Sequence, residues 1–207
     1  MREFFVDRPT TGVEEDEAIR EMFKQRRPTP EELDSFVVSP ERWNSALEIY
    51  RENRLAIIKG AALIRENAVS YRGFKVGCVA VGIEPNTSEN EVAVYTGYNV
   101  KRQPGEVRGE NKHCAERNVL SAARGQAKVI VALVTVSKEV HTDDPTKAIH
   151  GVLHPCKDCR DMFREYLTEG FMREDTILCN VNDSEREQLK IEERTPKELL
   201  DLYADAE

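Results

Sequence analysis

The chain has 207 residues, enough for one domain with a sizeable core plus some decoration. Its net charge of −8 excludes a general nucleic-acid binder, which needs a clustered basic surface. No apolar run approaches the ~18 residues of a membrane span and residues 1–30 are charged throughout, with no signal-peptide core, so a cytoplasmic address is expected, with five reduced cysteines acting as ligands or core residues.

Residues 1–39 show no core stripe, although 14–25 has helical character and Thr29-Pro30-Glu31 reads as a helix cap. They are expected to form a charged extension on a domain spanning 40–207. Ser39-Pro40-Glu41 opens a long helix, followed by Trp43, Ala46, Leu47, Tyr50, Leu55, Ile58, Ala61, Ala62 and Ile64, mostly three or four apart. Asn53 marks a candidate break into two helices. The stretches FKVGCVAVG (74–82) and EVAVYTGYNV (91–100), joined by a polar turn, read as a hairpin.

Cys114 starts a helix that runs to Arg124, with Gly125 as the expected cap. The β-branched run KVIVALVTVS (128–137) reads as a buried central strand. A polar loop over 138–154 leads to PCKDC and a helix ended by Gly170. Strands follow at 175–182 and 188–193. Their short connection cannot house a parallel crossover, so they pair antiparallel. Thr195-Pro196 caps a final helix. The fold class is therefore α/β, a five-stranded mixed sheet with helices on its faces and an antiparallel last strand pair.

Two motifs carry chemistry: His113-Cys114-Ala115-Glu116-Arg117 and Pro155-Cys156-Lys157-Asp158-Cys159. Cysteines three apart at one helix start, and a third at another, can aim thiolates at one ion, and the positive helix ends favour the thiolate form. Three thiolates on zinc leave one tetrahedral position open, the pattern of a catalytic site. Glu116 is then placed to shuttle protons. A closed structural zinc site or a buried cysteine trio is the competing reading. His113 lies three residues before Glu116, one more than the H-x-E spacing of the zinc deaminase signature that the motif resembles, and is disfavoured. His141, His150 and His154 flank or occupy the polar loop, and His154 is the one best placed to touch a substrate. Cys78 and Cys179 read as core residues, and Trp43 and Tyr50 as packing.

The combination resembles the zinc deaminase signature, and over roughly residues 52–203 the chain is similar to the small free-nucleoside cytidine deaminases. The carrying stretches are YRGFKVGCVAV, TGYNV, CAER, PCKDCR and TPKELL. The resemblance implies a three-layer α/β/α sandwich and one zinc per chain on Cys114, Cys156 and Cys159. It implies attack by zinc-bound water or hydroxide on the ring carbon bearing the amino group, with Glu116 delivering protons and ammonia departing. By the same resemblance Arg117 hydrogen-bonds the ligand sulfurs, Phe74 lines the base pocket and Asn99 holds the ribose 3′-hydroxyl. Ala115, between ligand and acid, is grouped with these substrate-binding residues. A homo-oligomer is also implied, a tetramer favoured, with pockets completed by neighbouring subunits.

Lys101 departs from the pattern. Relatives place a ribose-binding glutamate there, whereas this chain continues Asn99-Val100-Lys101 into a basic loop with Arg102, Arg108 and Lys112. A phosphate, a carboxylate or a modified sugar suits a cation better. The sequence thus points to a zinc-dependent hydrolytic deaminase of a cytosine-type nucleoside. The alternatives are the same chemistry on a nucleotide or an aminoacyl-nucleoside, or a non-catalytic zinc-containing binding protein. No membrane or polynucleotide partner is expected.

Overall fold

A computed structural model describes residues 38–70, 73–85, 91–101, 112–126, 128–138, 152–183 and 189–204. The helix expected over 14–25 and the Thr29 cap lie outside the described residues, as do Arg102, Arg108, His141 and His150. In chain order the elements are α1 (Pro40–Arg65), β1 (Val69–Ser70), β2 (Val76–Ile83), β3 (Ala93–Tyr98), β4 (Val100–Lys101), β5 (Lys112–His113), α2 (Ala115–Gly125), β6 (Val129–Ser137), α3 (Lys157–Thr168), β7 (Met172–Asn182), β8 (Lys190–Arg194) and α4 (Pro196–Asp201). No described helix is long and apolar enough to cross a membrane.

Ser39 caps α1 by accepting from the Arg42 amide at 3.3 Å. No break occurs at Asn53, whose side-chain amide donates to the Ile49 carbonyl at 2.8 Å while the helix runs through. Trp43, Ala46, Leu47, Tyr50, Ile58 and Ala61 form its buried stripe. Leu55 is 57% exposed, contrary to the sequence pattern. At about 100° per residue it stands roughly 140° around the helix from Tyr50, off the buried face.

The main sheet has the order β3-β2-β6-β7-β8. β2 is antiparallel to β3 and β6, β6 is parallel to β7, and β8 returns antiparallel to β7 as its short connection requires. β2 and β6 are buried along their whole lengths. α1 covers one face, packing Tyr50, Ile58 and Ala61 on Val79, Val81, Val134 and Val181. α2, α3 and α4 cover the other, with Val119, Leu120, Phe163 and Leu199 against Cys78, Ala80, Leu133 and Leu178. The architecture is the expected three-layer α/β/α sandwich.

Two glycines let helices close on the sheet. A Cβ on Gly97 would stand 2.7 Å from the Val119 side chain on α2. A Cβ on Gly77 would overlap the Ala61 carbonyl and stand 2.7 Å from the Arg65 amide, both backbone atoms of α1. Backbone cannot rotate out of the way as a side chain can. Gly77→Ala is therefore expected to destabilise by about 3 kcal/mol, a Tm drop of roughly 6–12 °C at this chain length. An unchanged thermal melt would show that α1 does not sit this close.

The helix ends differ in one respect from expectation. Gly125 is the last residue of α2, and the cap is Gln126, whose amide reaches the Ala123 carbonyl without a left-handed residue. Gly170 does take the left-handed conformation after α3, at φ +78°. Thr195 and Glu198 form a reciprocal capping box on α4.

A second, three-stranded sheet of order β1-β4-β5 was not legible beforehand. Asn99 interrupts the strand expected over 91–100. The chain beyond it pairs parallel with β1 and antiparallel with β5. This small sheet puts Lys101 beside the residues that lead directly into Cys114.

Candidate active site

Both cysteine motifs sit at helix starts on the same face of the main sheet. Cys114 is the N-cap of α2 and Cys156 the N-cap of α3, each in extended backbone and neither using its sulfur to cap. Cys159 lies in the first turn of α3, fully buried. The three Sγ atoms all lie within 4.8 Å of one another. Cys156 Sγ is 3.5 Å from each of the other two, and none of the three is in a disulfide.

That spacing fits a tetrahedral ion. Two sulfurs each ~2.3 Å from zinc stand about 3.8 Å apart. The electrostatics agree in direction. Hydrogen bonds, first from Cys114 and then from Cys159, hold the Cys156 thiol well below its ordinary value. Cys114 is pushed up to about 11, first by its bond to Cys156, and Cys159 is pushed up through its bonds to both. Three thiols that perturb one another this strongly share one small space, which a dication bound by their thiolate forms would fill.

Glu116 is the second residue of α2 and only 4% exposed. Burial raises its carboxyl to about 7. Its own backbone amide opposes that rise, the Cys156 charge adds to it, and Lys101 pulls it back. A carboxyl poised near neutrality suits proton transfer in either direction.

A cleft of about 380 Å³, counted to its open mouth, is lined by Phe74, Val76, Asn99, Lys101, Cys114, Ala115, Glu116, Leu153, His154 and Cys156. All four residues grouped beforehand as substrate-binding meet there with Glu116 and two of the three cysteines. Val76 and Leu153 were not anticipated. The one available sign was Leu153, an apolar residue ending a polar loop.

Asn99 is in place but already engaged. Its Oδ1 accepts from the Val76 amide at 2.7 Å and its Nδ2 donates to the Phe74 carbonyl at 2.8 Å. It braces the cleft wall and keeps one N–H in reserve. Arg117 is half-buried, and among the described residues its guanidinium makes no hydrogen bond to the three sulfurs. Arg160, directly after Cys159, does hold this region: Nη1 donates to the Pro155 carbonyl at 2.9 Å, and the guanidinium lies 4.0 Å over the Tyr203 ring. Asn118 ties α2 to the sheet by donating to the Tyr98 carbonyl at 2.8 Å. His113 is exposed and outside the sulfur cluster.

His154 is tied at both nitrogens. Nδ1 is 2.7 Å from the Tyr203 hydroxyl and Nε2 is 2.7 Å from Glu192 Oε1. Arg194 Nε donates to the same Glu192 oxygen at 2.6 Å, and this bond, with His154 behind it, holds the Glu192 carboxyl below its usual range. Below them a polar row crosses the sheet, Cys78 beside Thr135, Thr135 beside Asn180 and Asn180 beside Glu192. Tyr50 and Trp43 pack in the layer on the opposite face, as expected.

The family profile described as the cytidine and deoxycytidylate deaminase zinc-binding region matches residues 51–172. No curated protein matches significantly. Among solved structures, the chain is similar to cytidine deaminase from Burkholderia pseudomallei at 23% identity, covering 70% of this chain and 93% of that one, with a TM-score of 0.48. Cytidine deaminase from Mycobacterium leprae is similar at 21% identity, 72% and 97% coverage and a TM-score of 0.44. The dCMP deaminase of cyanophage S-TIM5 is similar at 19% identity, 57% and 77% coverage and a TM-score of 0.34.

Proposed function

The chain belongs to the cytidine and deoxycytidylate deaminase zinc-binding family, and from that membership we propose that it is a zinc-dependent hydrolytic deaminase of a cytosine-type nucleoside, with one zinc per chain on Cys114, Cys156 and Cys159. The observation that carries this reading is the convergence of three thiols beside the buried Glu116 in one cleft. A purely structural zinc site has no use for such a carboxyl.

Zinc held there supplies Lewis-acid activation of the attacking water. Glu116 takes the proton from that water and delivers it to the ring nitrogen as oxygen adds to the carbon bearing the amino group. It then carries the second proton to the amine, the C–N bond breaks and ammonia leaves. Phe74 forms an aromatic wall for the base. Asn99 fixes that wall through two backbone bonds and offers its remaining N–H to a sugar hydroxyl. Ala115, fully buried as the first residue of α2, leaves room for the ring beside Glu116. Arg117 is assigned no bond to the ligands.

Ammonia release from cytidine, deoxycytidine and their monophosphates by zinc-loaded protein tests this reading. No release from any cytosine compound would end it. A homo-oligomer, tetramer favoured, fits the apolar Val94 and Tyr98, which stand exposed on edge strand β3 at 56% and 37%. Light scattering is expected to show more than one chain per particle; an active monomer would contradict it.

A further inference from the structure

We propose, resting on the deaminase reading above, that the substrate carries an anionic group, a phosphate or a carboxylate, and that Lys101 is the residue that selects for it. The lysine is part of the cleft wall. Its backbone is held on both sides, because β4 is the central strand of the small sheet, with Lys101 opposite Ser70 on β1 and Lys112 on β5. β5 ends at His113, so the strand that positions this ammonium also leads into the first cysteine of the sulfur cluster.

Lys101 Nζ lies 5.4 Å from the centroid of the Phe74 ring, the residue proposed as the base wall. Lys101 lines the cleft together with Glu116 and Cys156, so the ammonium shares one space with the reacting groups. It forms no ion pair with either, nor with any other described carboxylate. Among the described residues the ammonium's one recorded contact is the Phe74 ring face, so its three N–H donors meet no described acceptor. Of the other polar lining, His154 is engaged by Tyr203 and Glu192, and Asn99 by backbone save for the one N–H assigned to a sugar hydroxyl.

The cleft is therefore polarised. The carboxyl and sulfurs mark the end where the amino group reacts, and the ammonium marks a second place that a neutral nucleoside fills only with a hydroxyl. An anion there makes a charge-assisted hydrogen bond, about twice as strong as a neutral one.

Calorimetric binding of uridine, its 3′-phosphate, its 5′-phosphate and its 5′-carboxylate to zinc-loaded protein tests the idea without needing turnover. At least one anionic ligand is expected to bind tenfold or more tighter than uridine. Lys101→Gln should collapse that ratio, and Lys101→Arg should largely keep it. Which anion binds tightest separates a phosphate from a carboxylate. Equal affinities in the unsubstituted protein, no measurable binding of any anion, or a ratio unchanged in folded, zinc-loaded Lys101→Gln would overturn the proposal, leaving Lys101 as a counter-charge to Glu116 and the thiolates. If ammonia release fails on every cytosine compound, the deaminase reading falls, while the binding ratio still decides the role of Lys101.

Discussion

Glu116→Gln is expected to retain zinc and fold but lose deamination by at least about 10²–10⁴-fold, the usual contribution of one general acid or base. The loss should reach the upper end, because one carboxyl serves the water, the ring nitrogen and the leaving amine in turn. The substitution is nearly isosteric, so the buried position on α2 stays filled. An amide cannot accept and return the proton. The same change removes the cost of burying an ionisable carboxyl with no ion-pair partner among the described residues. Thermal stability should therefore hold or rise while activity disappears, a divergence that unfolding cannot produce. Steady-state ammonia release, metal content and a melt on one preparation give the result. Near-normal turnover in folded, zinc-loaded protein would sink the assigned mechanism.

The second large effect is loss of the metal. Replacing Cys114, Cys156 or Cys159 singly by alanine is expected to strip most of the zinc and abolish activity. Losing even an outer-shell partner costs a metal site about 10–100-fold in affinity, and these are the ligands themselves. The sulfurs also join α2 to α3, helices that start 42 residues apart in sequence by their cysteine caps. Chelation should therefore lower the Tm of the unsubstituted protein and leave the three variants unmoved. Elemental analysis decides each position separately. A variant that keeps one zinc per chain removes its residue from the ligand set.

The parts that were readable in the sequence are those where chemistry and local pattern coincide. The cysteine spacing, the Thr195-Pro196 cap and the nearly continuous β-branched run of β6 each state their structure within a few residues. The β7–β8 pairing followed from a connection too short for anything else. The misses have the opposite character. Two-residue strands such as β1 and β4 have no period to detect, so the small sheet that fixes Lys101 was invisible. Asn99 was identified as a site residue from its motif, but a motif cannot say that its amide also bonds Phe74 and Val76, 23–25 residues away. Arg117 carries the expected residue type without the expected bond, whereas Arg160, the last residue of the PCKDCR stretch, braces the cysteine loop through the Pro155 carbonyl. The ties of His154 reach 38 and 49 residues forward, beyond any local signal.

Those two ties make a segment remote in sequence part of the cleft wall. Tyr203 stands just after α4, 49 residues beyond His154, yet its hydroxyl bonds a ring in the cleft wall. A change after α4 that displaces this phenol would thus reach the cleft through His154.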